Sequence, residues 1–303
     1  MKVTENKIYN PAIECMDREE LKALQLSRLQ ETVKLCYERV PLYRQRMDAL
    51  GVKPEDIKTL SDITKLPFTN KTDLRDEFPF GLLAADKKDI VRIQGSSGTT
   101  GKPIVSGYTA NDVEVWTEMV ARSLTAAGGG ADDIIQVTYG YGLFTGGLGA
   151  HQGANKLGAI QLPTSAGNSE KQVMLMKDFG TTALCCTPSY ALHLTEVMKK
   201  CDIKKEDLKL RVGFCGAEPW TWGIRRELED KLGIKAIDIY GLTEMSGPGV
   251  GGECQYQDGT HVWEDMFYPE IVNPDTLEPV APGERGELVF TSLCKEAMPI
   301  IRY

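Results

Sequence analysis

The sequence predicts an α/β fold in which a mainly parallel β-sheet is flanked by helices, with a small β-rich appendage. From about residue 110, short apolar runs typical of buried strands alternate with helical patterns, which indicates βαβ units. Residues 17–50 carry an apolar stripe with helical spacing. After residue 250 the strand patterns become short and are separated by turns rich in proline and glycine.

Taken in order, the elements divide into a helical start, an alternating core and a β-rich end. Asp17 precedes Glu20 by three residues, which is typical of a helix N-terminus. The next helix is expected from Thr109 or Asn111 to the glycine run at 128–130. Strands are expected at 134–138, 159–162, 183–187, 212–215 and 236–240, helices at 170–179, 190–200 and 220–232, and short strands at 262–263, 271–272 and 287–290. We therefore predict two parts, residues 1–250 and a β-rich subdomain at 251–303.

Composition narrows the class of protein. The chain has 303 residues and a net charge of −8, which argues against a broad nucleic-acid-binding surface. No apolar run approaches the about 20 residues that cross a bilayer, and the polar N-terminus precedes no signal-peptide core. The eight cysteines are scattered without a C-x-x-C pair, which is not the pattern of a disulfide framework. We expect a cytoplasmic protein with small-molecule partners.

A glycine- and hydroxyl-rich stretch at 95–103 reads G-S-S-G-T-T-G-K-P and indicates phosphate binding. Glycines let an anion approach the backbone, amides and hydroxyls donate to phosphate oxygens, and Lys102 adds a positive charge. A Walker A loop is excluded, because Gly95 and Gly101 enclose five residues and Pro103 follows the lysine. A flexible linker is the alternative, but strand-like sequences on both sides favour the tip of a hairpin.

Two further stretches follow predicted strands, where parallel sheets bind ligands. Residues 238–244 read D-I-Y-G-L-T-E, in which Tyr240 offers a ring for an aromatic base and Glu244 a carboxylate for Mg²⁺. Residues 216–219 read G-A-E-P. Each stretch alone is also compatible with a turn and a helix cap.

Together these motifs resemble those of the adenylate-forming superfamily of acyl-CoA synthetases, luciferases and nonribosomal-peptide adenylation domains. S-S-G-T-T-G-K-P is similar to its phosphate loop and Y-G-L-T-E to its adenine and magnesium motif. Further stretches look like those of the phenylacetate–CoA ligase family, at 139–147, 187–190, 216–220 and 263–270. The resemblance runs from the region of 37–43 to Tyr303 and implies the large domain of the adenylate-forming fold.

The resemblance implies a two-step ligase reaction that uses ATP, Mg²⁺ and coenzyme A. The carboxylate of a phenylacetate-like acid attacks the α-phosphate of ATP, and the CoA thiol then displaces AMP to form the thioester. Negative charge gathers at phosphorus in the first step, so hydrogen-bond donors and Mg²⁺ are suitable catalysts.

Site residues are assigned by the same resemblance. Lys102, Thr243 and Glu244 are the expected catalytic residues, with Thr243 at the α-phosphate and Glu244 on magnesium. The phosphate loop is expected to comprise Ser96, Ser97, Gly98, Thr99, Thr100, Gly101 and Lys102, and the adenine site Ala217, Glu218, Pro219, Asp238, Ile239, Tyr240 and Gly241. The aryl pocket needs apolar walls and space, and we expect it at Tyr139, Phe144, Gly146, Ala217, Ile239 and Pro248. Ordinary core packing is the alternative for Tyr139 and Phe144.

The family pattern continues past the last residues of this sequence, P-I-I-R-Y at 299–303. In the family this stretch leads to Arg-Thr-x-Asp, whose aspartate binds the ribose, and to a mobile C-terminal domain with a catalytic lysine. We therefore expect the large domain only, with impaired CoA ligation. The alternative is a lone adenylation core that binds ATP or AMP and the acid without completing the thioester. A homodimer is expected from the relatives.

A zinc site is a further possibility, since Cys254 and His261 lie seven residues apart. Structural zinc needs four ligands, and Cys294 or an acidic residue is a candidate for completing the set. An unrelated cysteine and a surface histidine are the alternative. His151 is a minor candidate for the acid or CoA side.

Overall fold

The structure is a computed structural model that describes residues 7–96 and 103–303. Its α-helices are α1 (Pro11–Glu14), α2 (Arg18–Arg39), α3 (Pro41–Leu50), α4 (Lys71–Asp76), α5 (Ala110–Ala126), α6 (Thr145–Leu157), α7 (Ser169–Asp178), α8 (Pro188–Lys200) and α9 (Trp222–Leu232). Its strands are β1 (Arg92–Gly95), β2 (Val105–Tyr108), β3 (Ile134–Val137), β4 (Ile160–Leu162), β5 (Ala183–Cys186), β6 (Val212–Gly216), β7 (Lys235–Leu242), β8 (Gly247–Glu253), β9 (Thr260–Val262), β10 (Phe267–Val272) and β11 (Glu287–Ser292).

The predicted α/β fold is confirmed by a seven-stranded sheet with the order β4-β3-β5-β6-β7-β8-β9. Strands β4, β3, β5, β6 and β7 pair in parallel, as their alternation with helices predicts. Strand β8 pairs antiparallel with β7 and was absent from the predicted strands. Its sequence, G-P-G-V-G-G-E, is poor in the β-branched and aromatic residues that mark strands.

Local sequence signals explain where the helices of this sheet begin and end. The Thr187 hydroxyl accepts a hydrogen bond from the Tyr190 N–H at the start of α8, and Pro188 follows at the first helical position. Helices α6 and α9 end at Gly158 and Gly233, which both adopt the left-handed conformation of a C-cap. The apolar faces of α7, α8 and α9 bury Met176, Leu194, Leu228 and other residues in one core. The Thr187 cap thus lies directly after β5, and the two glycine caps lie just before β4 and β7.

The chain divides into two compact units, which are described separately below. One comprises Met1–Asn10, Trp116–Leu242 and Gly247–His261, and the other Pro11–Val115, Thr243–Ser246 and Val262–Tyr303. The predicted division at residue 250 follows the chain order, whereas these units combine separate segments, so that division stays a prediction. Over residues 7–96 and 103–303, every helix is too short or too polar to cross a bilayer.

The second unit contains the antiparallel pairs β1–β2 and β10–β11 and a buried cation, Arg302. The Arg302 guanidinium donates to both carboxylate oxygens of Glu270, at 3.1 and 3.0 Å, and to the carbonyls of Thr64 and Leu66. It lies 3.8 Å from the ring centroid of Phe68. A fully hydrogen-bonded buried pair tolerates its desolvation, but a partner left alone does not.

Replacing Glu270 with alanine should therefore lower the free energy of unfolding by about 3–5 kcal/mol, because the buried Arg302 charge loses its partner. Urea unfolding followed by circular dichroism measures this change. Glu196→Ala is the control, because the ion pair between Glu196 and Lys199 lies at the surface. Its loss should leave the urea midpoint unchanged. Equal midpoints for the wild type and Glu270→Ala would contradict the expectation.

Candidate functional site

The first candidate element is the turn that leaves β6, at Gly216, Ala217, Glu218 and Pro219. A Cβ atom on Gly216 would lie 2.2 Å from the carbonyl oxygen of Ile239, so only glycine admits this approach of β7. Ala217 has a φ of 71°, in the left-handed region that non-glycine residues rarely adopt. Such conformations persist where the surrounding structure holds them, and they concentrate at functional sites.

Glu218 holds this turn through its carboxylate. The Ser189 N–H donates to Glu218 Oε1 at 2.6 Å, and the Ser189 hydroxyl donates to Oε2 at 2.9 Å. Ser189 lies in the first turn of α8, where the helix dipole favours a negative charge. The carboxylate is thus engaged with the protein, a role that the sequence did not indicate.

The second candidate element is the end of β7, with Asp238, Ile239, Tyr240 and Gly241. The pairing of β7 with β8 shifts register between Tyr240 and Gly241, and such bulges redirect side chains beside active sites. Tyr240 is 40% exposed. Burial raises the pKa of the Asp238 carboxyl above its ordinary value, which a hydrogen bond from Trp220 opposes.

The third candidate element is the aryl-pocket group on the segment before α6. The rings of Tyr139 and Phe144 lie 6.2 Å apart with an interplanar angle of 59°. The Tyr139 hydroxyl donates to the Cys186 carbonyl at 2.6 Å, and burial raises the pKa of this tyrosine. A Cβ atom on Gly146 would lie 2.3 Å from Phe144 Cε1, so this glycine leaves room for the Phe144 ring.

The structure brings several of these predicted residues together. Tyr139, Phe144 and Gly146 form one contact group, and Ile239 lies against the turn that begins at Gly216. Pro248 lies on β8, and its carbonyl accepts a hydrogen bond from the Trp116 indole at 3.1 Å.

His151 contacts Tyr141 in the segment before α6. Its Nδ1 is 3.2 Å from the Tyr141 hydroxyl, and burial lowers its pKa.

In the second unit, Thr243 and Glu244 are buried, and several side chains hold the segment 243–246. The Tyr303 hydroxyl donates to Glu244 Oε1 at 3.0 Å, and Lys295 Nζ donates to the Glu244 carbonyl at 3.2 Å. The Tyr108 hydroxyl donates to the Ser246 carbonyl at 2.8 Å. Sequence reasoning missed Lys295 and Tyr108, because only the fold brings them to this segment.

The predicted phosphate loop lies between β1 and β2, which pair antiparallel. Ser96 closes its N-terminal side, since its N–H donates to the Ile104 carbonyl at 2.9 Å and its hydroxyl accepts from the Ile104 N–H at 3.0 Å. Ser97, Gly98, Thr99, Thr100, Gly101 and Lys102 lie outside the described residues. Their phosphate-binding role stays a prediction.

The donor groups fit magnesium better than zinc. Thr243 and Glu244 supply oxygen atoms, and Mg²⁺ is commonly held by one or two carboxylates together with substrate phosphates. Within residues 7–96 and 103–303, three or more His, Cys, Asp or Glu side chains nowhere gather as a metal site. Cys254 and His261 therefore lack the further ligands of structural zinc there, and Cys294 instead donates to the Asp265 carbonyl.

Comparisons with known proteins agree with this architecture. Residues 22–294 match a family described as AMP-binding enzyme. The chain is 55% identical over 293 residues to phenylacetate-coenzyme A ligase of Escherichia coli (strain K12), which covers 96% of this chain and 67% of that protein. It is 52% identical over 292 residues to phenylacetate-coenzyme A ligase of Aromatoleum evansii, which covers 96% of this chain and 66% of the relative. The chain thus spans about two thirds of the length of these curated relatives.

A solved structure extends the likeness to the fold. An open conformation of 2-hydroxyisobutyryl-CoA ligase, in complex with 2-HIB-AMP and CoA, matches with a TM-score of 0.92 and 28% identity. The match covers 100% of this chain and 72% of that one. With its parallel sheet, its turns at the ends of β6 and β7 and these matches, the chain belongs to the AMP-binding enzyme family, on the branch of the phenylacetate-coenzyme A ligases.

Proposed function

We propose that this chain activates an aryl-acetic acid of the phenylacetate class with ATP, giving an acyl-adenylate whose acyl group is then transferred to coenzyme A with release of AMP. The 55% identity to a phenylacetate-coenzyme A ligase carries the proposal. The turns at the ends of β6 and β7 support it, because α/β sheets bind ligands at the carboxyl ends of their strands. A cytoplasmic location and a homodimer remain predictions from the sequence.

In the proposed adenylation step, an oxygen of the acid attacks the α-phosphorus of ATP and pyrophosphate leaves. The exposed Tyr240 ring is suited to stack on adenine. Main-chain groups at Ala217 and Pro219 are the other candidates for adenine contact, because the Glu218 carboxylate is already engaged by Ser189. Thr243 is proposed to donate its hydroxyl to the α-phosphate, and Glu244 to hold magnesium. When bound, the ion neutralises charge on the phosphate oxygens.

The acid's ring is proposed to lie against Tyr139 and Phe144. Their tilted rings form the apolar wall that an aryl group needs, with Ala217, Ile239 and Pro248 as further lining candidates. In the proposed second step the CoA sulfur bonds to the acyl carbon, and the bond from that carbon to the AMP oxygen breaks.

Pyrophosphate exchange tests the first step directly. With ATP, Mg²⁺ and phenylacetate, labelled pyrophosphate should enter ATP, and benzoate should support less exchange because it lacks the methylene that reaches the reacting carboxylate. Thioester formation is measured separately by adding CoA. If phenylacetate supports no exchange and calorimetry detects no MgATP binding, the proposed function is wrong.

Glu244→Gln should weaken MgATP binding at least about tenfold, because the amide keeps the hydrogen bond from Tyr303 but removes the charge that holds Mg²⁺. Lys102→Ala should act in the same direction. Calorimetric titration with MgATP measures both. Glu278→Gln, at an exposed turn, is the matched control and should bind as the wild type does. Unchanged affinity in both site variants would show that the site is misplaced.

Ser189→Ala should weaken ATP binding about fivefold, because one of the two hydrogen bonds that hold the Ala217 turn is lost. The same titration measures the loss. Ser27→Ala removes an exposed serine that pairs with Glu31 on α2 and should leave the affinity as it is. If Ser189→Ala binds ATP as tightly as the wild type, the turn at 216–219 does not contribute to adenine recognition.

A further inference from the structure

The second unit buries a lysine that the proposed reaction has not yet used. Lys295 is 5% exposed, whereas lysine side chains are usually at the surface. Its Nζ donates to the Ser106 hydroxyl at 2.5 Å and to the Glu244 carbonyl at 3.2 Å, and lies 5.0 Å from the Tyr108 ring centroid. A buried ammonium is costly unless it is hydrogen-bonded. The burial of the Lys295 ammonium is therefore not explained by core packing alone.

The main chain around Lys295 is fixed independently of its ammonium. Asp112 accepts from the Glu296 N–H at 2.7 Å and from the Ala297 N–H at 2.9 Å. The Thr109 hydroxyl donates to the Glu296 carboxylate at 2.8 Å. Because these bonds hold the backbone next to Lys295, the ammonium reaches Glu244 from a fixed stretch of main chain.

Glu244 is thus restrained at two points. Lys295 holds its carbonyl, and Tyr303 holds its carboxylate. Tyr108, whose ring faces the Lys295 ammonium, also holds the Ser246 carbonyl. The restraints converge on the segment 243–246, which carries the two residues to which we assign α-phosphate and magnesium binding.

We propose that Lys295 is a positioning residue for adenylation, whose ammonium fixes the main chain at Glu244 and so orients Thr243 and Glu244 toward MgATP. This inference rests on the proposed function. Displacement of a reacting group by about 1 Å is enough to cost a large factor in rate. A side chain that fixes this main chain therefore affects the chemistry without contacting the substrate.

Lys295→Met is the informative variant, because methionine keeps much of the length and apolar stem while removing the charge. A buried charge replaced by an apolar side chain of similar volume often leaves stability unchanged. Arg46→Met is the matched control, since it removes a partly buried cation whose contacts are Asp73 and the Phe68 carbonyl.

Amide hydrogen exchange is the first measurement and needs no activity. Peptides covering 241–248 should exchange at least about tenfold faster in Lys295→Met than in the wild type, because a charged hydrogen bond is lost. Arg46→Met should leave them unchanged. Equal exchange in the wild type and Lys295→Met would overturn the proposal.

Ligand affinity is the second measurement. In Lys295→Met the dissociation constant for MgATP should rise about tenfold, while that for phenylacetate stays within about twofold. Ser106→Ala keeps the ammonium and its bond to Glu244, and should bind MgATP nearly as the wild type does. A loss of both affinities in parallel with a lower melting temperature would indicate a purely structural lysine and would overturn the proposal. So would faster exchange with unchanged MgATP affinity.

The two proposals fail differently. If the wild-type chain binds no MgATP, the proposed function fails, and the positioning role in adenylation falls with it. The exchange measurement still decides whether Lys295 holds the segment 243–246. If the wild type binds MgATP and Lys295→Met binds it equally well, only the positioning role is wrong.

Discussion

The buried ion pair between Arg225 and Glu253 supports the end of the sheet that carries the D-I-Y-G stretch. The Arg225 guanidinium donates to both Glu253 oxygens, at 2.7 and 2.9 Å, and to the Ala236 carbonyl at 3.1 Å. The Glu253 carboxylate also accepts the Asp238 N–H at 2.9 Å. This pair joins α9, β7 and β8 where the D-I-Y-G stretch begins. Its hydrogen bonds offset the desolvation of two buried charges, so loss of either residue would leave the other charge uncompensated.

Aromatic rings complete the environment of Arg225. Its guanidinium carbon lies 4.6 and 4.5 Å from the ring centroids of Trp220 and Trp222, which adds cation–π attraction. Trp220 directly follows Pro219 along the chain, so its ring joins the segment after the Ala217 turn to Arg225. The segment after β6 and the strand β7 thus both contact this ion pair. A lysine at 225 would not supply the planar fork that this arrangement uses.

The architecture followed from local patterns, while the contacts that shape the site did not. Alternation of apolar runs and helical stripes predicted the five parallel strands, because both patterns depend only on residues that are close in the sequence. Strand β8 was missed because its glycines carry no strand signal. On the neighbouring strand β7, a Cβ atom on Gly241 would lie 2.1 Å from the Gly247 carbonyl oxygen. Gly241 is therefore required by the close approach of β8, which the local sequence does not reveal. Gly146 leaves room for the Phe144 ring, and its place in the aryl pocket stays a prediction.

Charged side chains near the motifs are the hardest to interpret from sequence, since their partners are distant in the chain. Glu218 is bonded to Ser189, Glu253 to Arg225, and Lys295 to the carbonyl of Glu244. In each case the charge stabilises a particular main-chain path, because a charge-assisted hydrogen bond is stronger than a neutral one. Turns rich in glycine, or with a left-handed alanine, would otherwise sample many conformations. A charged residue inside a binding motif is therefore as suited to hold the backbone as to contact the ligand, and only its partners distinguish the two roles.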